Sequence, residues 1–368
     1  MNINNEVYAS PYSCYINLTS KCNLRCKHCF GSYSREIDNE LNIDEWKKVI
    51  DDLIKCQVFY VVLSGGEATQ SPIFKDFINY LIKKGMYFIL TTNGVFSKNI
   101  RDFIVEKQDY IINIKISLDG PDEKSHGFVR LDSQGKYNPQ IFNLTMENIF
   151  YFKKMNIPLT ITTVLHKENI KRMDEFQKLI KKINPINWFI SPIIPVGRGE
   201  SNKYISEFYE YFNNNFWKSI ADDGKKKKIN VKLIDMPIEM EKEGLSAYSC
   251  AAAINFCEIH SDGTVSPCAL SRVIIPKKLM QFEDIRKKSL QEIWDGKIFE
   301  EFRSYMDVGC GGCKMLPKCN KCIAQSFRYF GDGKSPTPFC IKNGKVLGLS
   351  KFDYYRHKLD KEFNIKIK

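Results

Sequence analysis

The chain has 368 residues, 43% of them hydrophobic, with 13 cysteines and a formal net charge of +12. That length suits one large domain with a substantial core plus a smaller second one. No run of about 18 apolar residues occurs, which excludes a membrane-spanning helix, and the opening MNINNEVYASPY lacks the basic segment and apolar run of a signal peptide. A reducing, cytoplasmic setting is therefore expected, where so many cysteines point to metal rather than to disulfides. The positive charge reads first as a Lys-rich solvated surface and second as attraction for acidic partners. No nucleic-acid-binding signature accompanies it.

Strand one is expected at SCYINL, and Cys22, Cys26 and Cys29 follow it within KCNLRCKHCF. Ile43, Trp46, Val49, Ile50 and Leu53 then share one helical face, with Asn42 as cap and Glu45 three residues on. Strand two, FYVVLS, leads into Gly65-Gly66-Glu67, and Ser71-Pro72 is expected to open the next helix. Strand three, MYFILTT, leads into Asn93-Gly94, and strand four, IINIKIS, into Ser117-Leu118-Asp119-Gly120. LTITTV and NWFISPII supply strands five and six. Further helices are expected over about 138–154, 168–182 and 204–220. Apolar runs of this kind suit parallel strands buried on both faces. Four successive strand ends carry polar or Gly-rich signals, so four loops converge on one carboxyl-terminal mouth, where barrels place their chemistry. The expected fold is α/β: a partial (β/α)6 TIM-like barrel over residues 1–235.

The composition changes at ADDGKKKKIN, whose lysine run reads as a solvated turn. Residues 236–368 form a small Cys-rich, loop- and hairpin-rich second domain, ending in a helical tail. This part holds Cys250, Cys257, Cys268, Cys310, Cys313, Cys319, Cys322 and Cys340. FCEIHSDGTVSPC reads as a hairpin turning at Asp262-Gly263, and SLQEIWDGKIFEEFRSY as one helix burying Leu290, Ile293, Trp294, Ile298 and Phe302. A domain this short needs metal to hold it together.

Three cysteines at C-x3-C-x2-C leave one corner of a cubic iron–sulfur cluster open. Zinc, with His28 as fourth ligand, is the alternative, but His28 adjoins Cys29 and zinc favours two separated pairs. Followed by GGE after the second strand, the motif resembles the radical S-adenosylmethionine (SAM) superfamily. The resemblance implies a [4Fe-4S] cluster on Cys22, Cys26 and Cys29 that binds SAM and cleaves it to a 5′-deoxyadenosyl radical. It implies SAM contacts from Phe30, Gly65, Gly66, Glu67, Asn93, Ser117, Asp119 and Arg130. Glu67 would accept from the methionine ammonium, Ser117 and Asp119 would bind ribose hydroxyls, and Arg130 would pair with the methionine carboxylate. Such families usually carry proline after the glutamate; Ala68 stands there.

The distal cysteines resemble the SPASM extension of radical SAM enzymes that modify peptides and proteins. The gap between Cys319 and Cys322 is two residues where three is usual. The resemblance implies two auxiliary [4Fe-4S] clusters, one on Cys250, Cys257, Cys268 and Cys322, the other on Cys310, Cys313, Cys319 and Cys340. Zinc ribbons are the alternative. Cys14 and Cys56 are left as buried packing residues. The implied activity is oxidative maturation of a ribosomally made peptide, by a C–S or C–C crosslink. Formylglycine formation on a sulfatase and epimerisation are the alternatives, and sulfatase maturases carry Asp where Ala269 stands. A plain zinc or iron–sulfur interaction module is the non-enzymatic alternative. Expected partners are a precursor peptide or protein, a flavodoxin- or ferredoxin-type electron donor, and a separate leader-peptide-binding protein, since no recognition domain precedes strand one.

Overall fold

The computed structural model describes residues 7–35, 37–191, 193–194, 196–200, 220, 222–226, 228–233, 250–306 and 321–335. All but the last residue of the helix expected over 204–220, the domain boundary near 235, the helical tail, and Cys310, Cys313, Cys319 and Cys340 lie outside the described residues.

The first part runs β1 (Ser13–Asn17), α1 (Ile43–Lys55), β2 (Tyr60–Ser64), α2 (Phe74–Lys83), β3 (Tyr87–Thr92), α3 (Lys98–Glu106), β4 (Ile111–Ser117), α4 (Glu123–Gly127), α5 (Gln140–Lys154), β5 (Leu159–Val164), α6 (Lys167–Ile170), α7 (Met173–Ile183) and β6 (Asn187–Ser191). The second runs β7 (Val231–Leu233), β8 (Phe256–Ile259), β9 (Thr264–Ser266), α8 (Ala269–Ile274), β10 (Glu283–Asp284), α9 (Leu290–Trp294), α10 (Lys297–Ser304) and α11 (Ile323–Phe330). All ten strands form one sheet, in the order β10-β9-β8-β1-β2-β3-β4-β5-β6-β7. From β1 to β7 every pairing is parallel and follows chain order, as a partial barrel requires. Among the described residues no helix is long and apolar enough to cross a membrane.

The two faces of this sheet differ. Cys14, Ile16, Val61, Leu63, Phe88, Leu90, Ile114, Ile116, Leu159, Ile161, Trp188 and Ile190 point outward into one core with Trp46, Phe77, Phe152 and Phe176 of the helices. The alternate residues, among them Asn17, Ser64, Thr91, Lys115, Ser117, Thr162 and Phe189, therefore face the lumen. The strands are apolar on the helix side and substantially polar within.

Local signals hold where a side chain specifies them. Asn42 caps α1 in a reciprocal box with Glu45. Asn42→Ala is expected to cost about 1 kcal/mol of stability, read by urea unfolding. The hairpin turns at Gly263, with φ +84°, and the Asp262 carboxylate accepts from Thr264 N–H at 3.1 Å. Two boundaries differ from expectation. Helix α2 starts at Phe74, because Ser71 ends a short turn over Ala68–Gln70 and its carbonyl accepts from Phe74 N–H. The single helix expected over 289–305 is two, because Gly296 takes an extended conformation (ψ 161°) between α9 and α10.

The hairpin is also no separate layer. β8 pairs parallel with β1, Cys14 opposite Cys257, so the distal segment extends the barrel's own sheet.

Candidate active site

Cys22, Cys26 and Cys29 lie on the loop leaving β1, at the carboxyl-terminal mouth. The loop is fixed by backbone hydrogen bonds from three directions. Arg25 and Lys27 N–H donate to Leu131 and Val129 carbonyls, Cys22 N–H donates to Ser34, and Gly66 and Glu67 N–H donate to Thr19 and Lys21. A Cβ on Gly65 would stand 2.6 Å from Thr19 O, and Gly65 holds φ +137°. The glycines after β2 thus let the chain's own loop approach closely.

Arg198, beyond β6, closes the ring. Its N–H donates to Cys29 O (2.9 Å), its Nε to Cys26 O (2.8 Å) and its Nη1 to Tyr33 O (3.0 Å). Sequence reasoning missed this residue; GRG carries no signal of which distant carbonyls it will meet. Arg198→Ala removes two charge-assisted bonds to the loop, and iron release to a chelator is expected to quicken by about tenfold.

The donor set fits an iron–sulfur cluster. Leu24, Ile141 and Val95 pack around the three cysteines. Burial, with smaller contributions from neighbouring cysteines, pushes Cys22 up to about 12 and Cys26 up to about 11. Thiols raised in this way ionise together only against bound positive charge. N–H donors already point at two sulfurs: Leu24 N at 3.5 Å from Cys22 Sγ, and Arg130 Nη1 at 3.9 Å from Cys26 Sγ. His28 is turned elsewhere, with Nε2 3.5 Å from Asp119 Oδ2. Burial lowers it to about 3, so it is neutral. Among the described residues no three His, Cys, Asp or Glu side chains converge as ligands of a single metal ion.

The remaining expected residues surround this loop. Ser117 faces the lumen at the end of β4, 3.5 Å from Thr162 Oγ1. Phe30 is partly exposed beside Tyr33. Asn93 bridges to the cysteine loop, its Nδ2 donating to Asn23 Oδ1 at 2.9 Å, while its own Oδ1 accepts from Val95 N–H. Three side chains have neighbours other than those expected. Glu67 is buried, and its carboxylate accepts from Thr69 Oγ1 (2.7 Å), Thr92 Oγ1 (2.8 Å) and Asn93 N–H (2.7 Å). Burial raises its pKa despite these bonds. It orders the loop after β3 rather than standing open to an ammonium group. Asp119 is fully buried, with Oδ2 2.6 Å from Arg130 Nε and Oδ1 accepting from Val164 N–H (2.8 Å). Burial alone would raise Asp119, but Arg130, His28 and His126 outweigh it and hold it at about 2. Asp119 and Arg130 are thus an internal ion pair beside Cys26.

Of the described distal cysteines, Cys250 and Cys268 are close enough for the charge of one to raise the other. Cys257 is not with them. It lies on the outward face of β8, buried, with Sγ 3.6 Å from Cys14 Sγ. Strand alternation turns Glu258 toward Cys268 and Cys257 to the other face, toward Cys14.

A parallel partial barrel, with a three-cysteine loop at its carboxyl mouth and a cysteine-bearing segment joined to its first strand, defines an iron–sulfur enzyme of the SAM-binding kind. The radical SAM superfamily pattern matches residues 16–180, and the iron–sulfur cluster-binding SPASM pattern matches residues 250–323. The chain carries a radical SAM superfamily domain and, beyond it, a SPASM iron–sulfur cluster-binding domain. Similar proteins include an AdoMet-dependent heme synthase of Methanosarcina barkeri, 26% identical over 88% of this chain and 94% of the relative. The mycofactocin maturase MftC of Mycolicibacterium smegmatis is 25% identical over 91% of this chain and 83% of its own. The structure of Streptococcus suis SuiB bound to precursor peptide SuiA matches with a TM-score of 0.71 at 17% identity, over 89% of this chain and 75% of that one.

Proposed function

We propose that this radical SAM/SPASM enzyme matures a ribosomally made peptide, installing a C–S or C–C crosslink. The observation that carries the reading is the similarity to a maturase over 91% of this chain. Cys22, Cys26 and Cys29 hold a [4Fe-4S] cluster, and Arg198 and the GGE loop fix that loop in place. When bound, the cluster and SAM supply a 5′-deoxyadenosyl radical for hydrogen abstraction. Phe30, Gly65, Gly66, Asn93 and Ser117 line the SAM site. Arg130, held by Asp119, presents its charge beside Cys26 and toward the methionine carboxylate. Glu67 positions Asn93.

Two auxiliary clusters complete a set of three. Cys250, Cys268 and Cys322 serve one, and Cys310, Cys313, Cys319 and Cys340 the other. Clusters held by these cysteines would supply an acceptor for the electron that crosslinking releases. A cytoplasmic flavodoxin- or ferredoxin-type protein supplies reducing electrons, and a separate protein presents the leader. The SPASM domain begins near residue 236. A sulfatase substrate is disfavoured, because Ala269 offers no carboxyl group. A second reading, oxidation of a tetrapyrrole, is favoured by the similarity to a heme synthase over 94% of that relative.

Anaerobic co-expression with each short reading frame beside the gene tests the proposal. A peptide that loses the mass of a hydrogen pair, and does so only with intact enzyme, supports it. Unmodified peptides alongside oxidation of an added porphyrin carboxylate favour the second reading.

A further inference from the structure

Lys115 stands mid-way along β4, between Ile114 and Ile116, both fully buried on the helix side. Its side chain therefore faces the lumen, on the same side as Ser117 and one strand repeat, about 7 Å, further in. Burial lowers its pKa, with no charged neighbour contributing. Its recorded contact is with the ring of Phe189 on β6, whose centroid is 5.9 Å from Nζ. No carboxylate among the described residues lies within ion-pair distance of it. Neighbours Thr91 and Thr160 in the register carry no charge.

Lys232 of β7 lies opposite Phe189 in the next pairing, and Val231 packs on the outer core, so Lys232 shares the lumen face. Lys115 thus lies against one aromatic ring of the inner wall, and Lys232 is the register partner of that residue on the next strand. A partly buried cation with no counter-ion among the described residues weakens the fold and is retained where a ligand completes it. Solvent-exposed lysines cost nothing of this kind, and a solely structural residue here would be apolar or paired.

We propose that Lys115, with Lys232 and the face of Phe189, forms an anion subsite that takes a carboxylate of the substrate and so places the reacting carbon beneath the SAM site. Resting on the peptide reading above, that carboxylate is an Asp or Glu side chain or the carboxyl terminus of the precursor. The subsite is a specificity determinant, and it selects acidic substrates among those the open mouth admits.

Competitive labelling tests this on the reconstituted holoenzyme under anaerobic conditions. Lysines are reductively methylated with formaldehyde and cyanoborohydride, and each is read by mass spectrometry. The probes are a pool of random peptides rich in Asp and Glu, the same pool with Asn, Gln and amidated ends, and a porphyrin carboxylate. The acidic pool is expected to reduce labelling of Lys115 by about tenfold relative to the amide pool, the weight of one charge-assisted contact, while exposed Lys226 is unchanged. Shielding by the porphyrin carboxylate alone keeps the subsite and overturns the peptide reading. Equal labelling with all three probes overturns the subsite. In Lys115→Met the acidic pool is expected to lose its shielding of Lys232, and in Lys115→Arg to keep it. Shielding of Lys232 that is the same in Lys115→Met as in the parent chain also overturns the subsite.

Discussion

Cys26→Ser is expected to lower reductive cleavage of SAM by at least about a thousandfold, which removes on the order of 4 kcal/mol of barrier lowering. Cys26 is the most enclosed of the three motif cysteines, at 8% exposure. Its carbonyl is held by Arg198 and its sulfur faces Arg130. Iron–sulfur clusters are held by thiolates, and a serine hydroxyl in the same place ionises far less readily. The backbone bonds of the loop do not pass through the sulfur, so the variant should fold. The result is read as 5′-deoxyadenosine formed under strong reductant, with circular dichroism unchanged. Cleavage within a few-fold of the parent chain would remove Cys26 from the ligand set.

Asp119→Asn is expected to destabilise the fold by about 3–5 kcal/mol, because it strips a buried guanidinium of its counter-charge. Arg130 is 7% exposed and Asp119 is 0% exposed, so water screens neither. The nearby imidazoles cannot replace the lost anion. Burial lowers His28 and His126 to about 3 and His166 to about 4, which leaves all three neutral. The sign with pH follows from Asp119 itself. Its folded pKa, about 2, lies below the ordinary 3.8, so its stabilisation is complete above about pH 4 and fades as pH falls through 2. Urea unfolding should show the full gap between the parent chain and Asp119→Asn at pH 7, narrowing below pH 4. A gap under about 1 kcal/mol at neutral pH would mean the pair is replaceable.

Features set by local chemistry were legible in the sequence. The parallel strands announced themselves as apolar runs, and the Asn42–Glu45 box and the Asp262-Gly263 turn each depend on residues a few positions apart. The three-cysteine loop was legible for the same reason. Features set across long separations were not. Nothing local says that β8 will lie beside β1, and that pairing decides that Cys257 meets Cys14 rather than Cys268. Arg198 reads as an ordinary surface arginine until the loop beyond β6 folds over the cysteines. Glu67 and Asp119 were read as ligand contacts because their positions along the motifs suggested it. Their burial depends on which polar groups the neighbouring strands deliver, Thr92 and Asn93 in one case and Arg130 in the other. Gly296 split a helix whose apolar periodicity continued through it, since periodicity records which face is buried and not whether the backbone is unbroken.

The most direct test of the account is electron paramagnetic resonance on the anaerobically reconstituted, dithionite-reduced chain, with and without SAM, beside a variant with Cys22, Cys26 and Cys29 all changed to alanine. The account predicts a cluster signal that shifts when SAM is added, and a variant that loses this signal along with about a third of its iron and sulfide. A variant with undiminished iron and the same SAM-responsive signal, or a parent chain whose spectrum ignores SAM and leaves it uncleaved, would contradict it.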